Sequence, residues 1–154
     1  MELILWRHAD AEDGGPAGDL ARRLTKRGRK QAERMGEWLH PLVSGWLVLS
    51  SPAERAKETA EALGIGYEVR PGLAPGLSPA AVIREAQWPA GDRDIVVVGH
   101  QPTLGEVVAQ LLGGSGEVPF RKAGIWWFAT RERDGMQTML RVVLDPETLE
   151  ARET

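Results

Sequence analysis

Two arginines and two histidines stand where they could meet. They are Arg7, His8, Arg55 and His100. Arg7-His8 follows the apolar run Leu3-Ile4-Leu5-Trp6, and His100 closely follows Ile95-Val96-Val97-Val98. Arg55 lies just after Trp46-Leu47-Val48-Leu49, on the first turn of an expected helix. Each apolar run reads as a strand buried on both faces. In an open parallel sheet the carboxyl ends of the strands line the ligand crevice. The four side chains, far apart in sequence, are therefore expected in one pocket. Ser51-Pro52 reads as the N-cap and first residue of the helix carrying Arg55, and Gly99-His100-Gln101-Pro102 turns into another helix. Two helix N-termini facing the pocket favour an anion. Guanidiniums, imidazoles and helix ends in one place describe a site for a phosphoryl group. No member carries this singly: a lone Arg55 reads as a surface arginine, and a lone His100 as a ring bonded to a carbonyl.

The elements that must position these residues alternate along the chain. Thr25 opens a helix to about His40, with Ala32, Met35, Gly36 and Leu39 at i, i+3, i+4 and i+7 as its buried stripe. A second helix runs from Ser51 to about Leu63 and stops at Gly64. Tyr67 to Val69 reads as a brief strand. Ser78-Pro79 starts a helix to about Trp88 that buries Val82, Ile83 and Ala86. Leu104, Val107, Val108, Leu111 and Leu112 form the stripe of a fourth helix. Ile125–Phe128 and Met139–Leu144 read as final strands in a hairpin around Asp134-Gly135. Alternating strands and helices predict an α/β fold, a three-layer sandwich whose mainly parallel central sheet is flanked by helices. With 154 residues and no repeat, residues 1–154 are expected to form a single domain. His40 reads as structural, at a helix C-terminus. Trp126-Trp127 reads as core plus one outer face, and Arg131–Asp134 as a solvated turn.

Composition excludes several classes. Lys+Arg 19 against Asp+Glu 22 gives a net charge of −3, so no basic excess marks a nucleic-acid surface. No apolar run approaches the roughly 20 residues of a membrane helix, and MELILWRHAD lacks the basic and apolar regions of a signal peptide. A cytoplasmic protein is expected, with no nucleic acid or membrane as partner. The absence of cysteine removes disulfides, thiolate nucleophiles and Cys-ligated zinc. Asn is absent, and Arg outnumbers Lys 15 to 4. Thermophily or a GC-rich genome would each produce that bias.

Four segments stand in an order that resembles a known family. They are Arg7-His8-Ala9, Leu24-Thr25-x-x-Gly28, Ser50-Ser51-Pro52-x-x-Arg55-Ala56-x-x-Thr59-Ala60 and Val98-Gly99-His100-Gln101-Pro102. Together they look like the histidine phosphatase superfamily, whose fold is phosphoglycerate mutase-like. The short chain is most similar to the SixA-type phosphohistidine phosphatases. The resemblance implies that His8 is the nucleophile, that Arg7 and Arg55 grip the phosphoryl oxygens, and that His100 donates to the same group. It implies Arg22 as a phosphate or substrate contact. A neutral imidazole is a good nucleophile near pH 7, and charge stabilisation by this set needs no metal or cofactor.

Two departures bear on activity. The family usually reads Arg-His-Gly, where this chain has Ala9. Larger members place a Glu or Asp between the arginine motif and the second histidine to protonate the leaving oxygen. Residues 69–84 hold no acid, and Glu68 and Glu85 flank the gap. Asp10 and Asp19 are the fallback general acids. A missing acid would cost an alkoxide leaving group about 10²–10⁴ in rate, whereas phosphohistidine leaves as imidazole. The expected function is therefore a metal-independent phosphatase acting through phosphohistidine on His8, with a histidine-phosphorylated protein as leading substrate. The alternatives are a small-molecule phosphomonoesterase or mutase of the same family, a non-catalytic phospho-ligand binding module, and a metallohydrolase using His8, Asp10 and His100.

Overall fold

Each apolar run becomes a strand of one sheet in the computed structural model, which describes residues 1–153. The strands are β1 (Glu2–Arg7), β2 (Leu47–Ser50), β3 (Glu68–Val69), β4 (Ile95–Gly99), β5 (Ile125–Glu132) and β6 (Met136–Leu144). Their order across the sheet is β3-β2-β4-β1-β5-β6. The first four in that order are parallel, and β5 and β6 complete the sheet antiparallel. The helices are α1 (Lys26–Leu39), α2 (Glu54–Glu61), α3 (Pro79–Ala86), α4 (Thr103–Leu111) and α5 (Pro146–Glu153).

The central strands are apolar throughout because both their faces are covered. Ile4, Trp6, Val48, Val96 and Val98 pack against Met35, Leu39, Ala56, Ala60 and Leu149, from α1, α2 and α5. Leu3, Leu5, Leu49, Ile95 and Val97 pack against Val82, Ala86, Leu104, Val107 and Val108, from α3 and α4. The period of two along the strands thus sorts side chains into two cores, and the fold is the expected three-layer α/β sandwich. Trp127 enters the first core, while the partly buried Trp126 stacks on Phe128 in the second.

Two local devices hold the ends of the elements near β1. Thr25 caps α1, its Oγ1 accepting from the Gly28 amide at 2.9 Å. Gly28 has no room for a side chain: a Cβ there would lie 1.9 Å from the Asp10 carbonyl oxygen. The first turn of α1 therefore presses directly on the chain leaving β1.

The structure corrects three expectations. Ser51 does not cap α2. Its amide donates to the Val98 carbonyl at 3.0 Å, so it continues the sheet ladder, and the helix starts after Ala53. Leu112 lies beyond the last residue of α4 and is 51% exposed, and Leu111 is only partly buried. Ile83 is likewise only partly buried on α3. Helix α5 had no sequence expectation. Its start is marked by Asp145, whose Oδ1 accepts from the Thr148 amide at 2.9 Å, and Leu149 anchors it in the core. His40 caps α1 and its Nδ1 lies 2.8 Å from the Leu63 carbonyl, a structural role.

Candidate active site

Adjacent strands β1 and β4 end in register, with Arg7 opposite Gly99 and the His8 amide donating to the Gly99 carbonyl at 3.0 Å. His8 and His100 leave these ends side by side, with ring centroids 5.1 Å apart. His8 is 8% exposed, and its Nδ1 lies 2.7 Å from the Ala9 carbonyl oxygen. A carbonyl only accepts, so Nδ1 carries the proton and Nε2 keeps the lone pair. Burial lowers the His8 pKa from 6.5 to about 4. The Ala9 bond opposes that shift, and the positive charges of Arg55, Arg7 and Arg22 add to it. His8 is therefore neutral at pH 7.

His100 is 4% exposed, with Nε2 2.7 Å from Ser51 Oγ. Burial, then His8 and Arg55, lower its pKa to about 3. Arg7 donates from Nη1 to the Phe120 carbonyl at 2.7 Å. Arg55, on the first turn of α2, donates from Nη1 and Nη2 to the Asp19 carbonyl and carboxylate at 2.8 and 3.1 Å. Asp19 sits on a short 3-10 turn, Asp19–Ala21, and also accepts from Arg22 Nη1 at 3.1 Å. Arg22 is fixed in turn by donating from Nε to the Glu12 carbonyl at 2.6 Å.

Three buried side-chain polar atoms among the described residues lack a hydrogen-bond partner: Arg7 Nε, Arg55 Nε and His100 Nδ1. All three belong to the quartet read from the sequence. An unmade buried bond costs about 1–3 kcal/mol, so three within the quartet point to an acceptor-rich ligand that would satisfy them. Among the described residues, no three His, Cys, Asp or Glu side chains gather as metal ligands.

Comparison with known proteins agrees with this geometry. The sequence profile of the histidine phosphatase superfamily (branch 1) matches residues 3–78. The phosphohistidine phosphatase SixA homolog of Haemophilus influenzae is 31% identical over 141 residues, covering 81% of this chain and 85% of that one. This chain belongs to the histidine phosphatase superfamily. Phosphohistidine phosphatase SixA of Escherichia coli is 32% identical over 136 residues, covering 81% and 83% of the two chains. The solved structure of the protein histidine phosphatase SixA complexed with tungstate superposes with a TM-score of 0.82 at 28% identity, covering 97% of this chain and 99% of that one. The protein is a phosphatase of this superfamily, similar to SixA.

In this phosphatase the structure gathers Arg7, His8, Arg22, Arg55, His100 and Asp19. Asp10 faces elsewhere: its Oδ1 pairs with Lys122 Nζ at 2.5 Å, and its Oδ2 accepts from Thr25 Oγ1 at 2.7 Å. The bonds from Lys122 and Thr25 hold its pKa below the ordinary carboxylate value. Asp19 is lowered as well, first by Arg22 and then by Arg55. Both carboxylates are ionised near pH 7 and have no proton to give in this conformation. Glu68 and Glu85 pair with Arg70, at 2.5 and 3.4 Å. Ala9 is unstrained where the family usually has glycine. Its backbone lies outside the left-handed region, and its amide donates to Thr59 Oγ1 at 3.1 Å. Sequence reasoning missed Ser51 as part of the site. The available signal was its position directly after a strand whose neighbour ends in His100.

Proposed function

We propose that this phosphatase removes phosphoryl groups from phosphohistidine on a protein, through a phosphohistidine intermediate on His8 and without a metal ion. The observation that carries the reading is a neutral His8 ring, 5.1 Å from that of His100 and under the positive charge of Arg55 and Arg7, in a quartet whose other three members each keep an unpartnered buried nitrogen. His8 Nε2 attacks phosphorus with its lone pair. The bond from phosphorus to the substrate nitrogen breaks, and its electrons stay on the departing ring, which leaves as neutral imidazole because its other nitrogen already carries a proton. Arg7 and Arg55 stabilise the equatorial oxygens as charge redistributes, and His100 donates to the same group. Arg22 adds positive charge at the rim. Water then attacks the phosphorus on Nε2 and releases inorganic phosphate and neutral His8.

The choice of leaving group follows from the acids. Residues 69–84 hold none, Glu68 and Glu85 are paired with Arg70, and Asp10 and Asp19 are held ionised. An alkoxide needs a proton donor in the transition state, whereas an imidazole leaves with less help. The relatives named as phosphohistidine phosphatases support the same substrate class.

The test is trapping and turnover together. A phosphoenzyme labile in acid and stable in base should form on His8 and vanish in His8→Ala. Phosphohistidine and aryl phosphates should turn over far faster than alkyl phosphates, vanadate should inhibit, and activity should survive excess EDTA. Full activity in His8→Ala overturns the mechanism. Loss of activity on chelation, restored by zinc or manganese, overturns metal independence. Fast cleavage of alkyl phosphates would instead favour a small-molecule phosphomonoesterase.

A further inference from the structure

His100 is useful to a phosphoryl oxygen only if the ring nitrogen facing it carries a hydrogen. The two neutral tautomers differ in this, and the bond made by the opposite nitrogen decides between them. That nitrogen, Nε2, lies 2.7 Å from Ser51 Oγ. We propose that Ser51 is a positioning residue that holds neutral His100 in its Nδ1-protonated tautomer, so that the ring meets the phosphoryl group as a donor. The proposal rests on the reading that His100 contacts the substrate phosphoryl group.

Hydrogens and lone pairs decide between the two tautomers. A serine hydroxyl has one hydrogen and two lone pairs, and a neutral imidazole has one donor and one acceptor. Ser51 Oγ already accepts from the Ala53 amide at 3.1 Å. Suppose Nε2 carried the imidazole proton. Ser51 Oγ would then accept from both of the hydrogen-bond partners it has among the described residues, and its own hydrogen would be buried without an acceptor. His100 Nδ1, which has no hydrogen-bond partner among the described residues, would present a lone pair to phosphoryl oxygens that are themselves acceptors. In the opposite arrangement Ser51 donates to Nε2 and accepts from Ala53, and Nδ1–H is left to donate. Every hydrogen then has a place.

The backbone fixes the two residues against each other. The Ser51 amide donates to the Val98 carbonyl at 3.0 Å, two residues before His100, so β2 delivers the hydroxyl to the end of β4. Ser51 is fully buried, which shields the bond from water. This explains why a serine with the sequence look of a helix cap leaves capping to Ala53, which makes no side-chain cap bond.

The experiment reads the tautomer directly. The chain has three histidines, so nitrogen-proton correlation spectra of protein labelled with ¹⁵N-histidine are assignable using His8→Gln and His40→Gln. In the resting wild-type protein near neutral pH, His100 should show a protonated Nδ1 and a pyridine-type Nε2. In Ser51→Ala the resonances should shift toward the Nε2-protonated form, and inhibition by vanadate should weaken about ten-fold, as for other orienting partners of histidine. Ser51→Thr keeps the hydroxyl and should restore both. A protonated Nε2 in the wild type overturns the proposal, as does an unchanged His100 tautomer in folded Ser51→Ala. The wild-type spectrum decides even where Ser51→Ala does not fold. It needs no turnover, so it is distinguishable from failure of the phosphohistidine mechanism, which the absence of a phosphoenzyme on His8 would show.

Discussion

Acid should weaken this fold through its two site histidines, by an amount that follows from their burial. Unfolded, each has a pKa near 6.5, and folded they lie at about 4 and about 3. Both are lowered, so below pH 6.5 the unfolded chain takes up protons that the native site refuses. Stability is therefore lost as pH falls through 6.5, and the loss from His8 levels off below about 4. At about pH 5, linkage gives a loss of about 2 kcal/mol for His8 and a similar amount for His100. That is a large part of the stability of an ordinary domain. Replacing His8 with glutamine removes one titrating ring and leaves a neutral side chain at every pH. Urea unfolding followed by circular dichroism at about pH 7.5 and pH 5 supplies the four free energies needed. The drop on acidification should be smaller in His8→Gln than in wild type by about 2 kcal/mol. Carboxylates shared by the two proteins cancel in this difference. An identical drop in both would refute the reasoning, because it would mean that His8 titrates in the folded protein as it does in the unfolded chain.

Three further outcomes follow from the same contacts. Arg55→Lys should lower kcat/KM by about 10²–10³, because an ammonium cannot hold Asp19 and still offer a fixed donor to the phosphoryl group; steady-state kinetics on an aryl phosphate checks this. Asp19→Ala should tighten vanadate inhibition by several-fold, since the exposed carboxylate competes for Arg55 and Arg22 with a coupling of about 0.2–1 kcal/mol. A loss of about 10²–10⁴ confined to alkyl phosphates would instead make Asp19 a general acid. Gly28→Ala should lower stability by about 1–3 kcal/mol or more in a denaturant titration, because its Cβ would meet the Asp10 carbonyl.

The sheet was legible because the buried strands are unbroken apolar runs, and the quartet was legible because it sits where such runs end. What escaped depends on contacts remote in sequence. Ser51-Pro52 has the local pattern of a cap, and only the ladder bond to Val98 shows that the strand has not yet ended. The orientation of Asp10 is set by Lys122, 112 residues away, which no local pattern encodes. Helix α5 is short and offers one buried leucine, Leu149, among its first residues, too little for a periodic signal. The spacing of Leu112 fits the stripe of a helix, but the helix ends one residue earlier and Leu112 is exposed.

The pairing of Arg7 with Gly99 makes the sheet a ruler for the chemistry. The distance between His8 and His100 is close to one inter-strand spacing of about 4.8 Å, and it is set by main-chain bonds that every residue type makes alike. Core side chains on either face can therefore drift in sequence while the spacing of the two imidazoles stays fixed. A chain only 28% identical superposes with a TM-score of 0.82. The corollary is that the residues least free to change are those governing how the backbone leaves the sheet. A bulge or slipped register between β1 and β4 would undo the site more completely than the loss of any one side chain in the core.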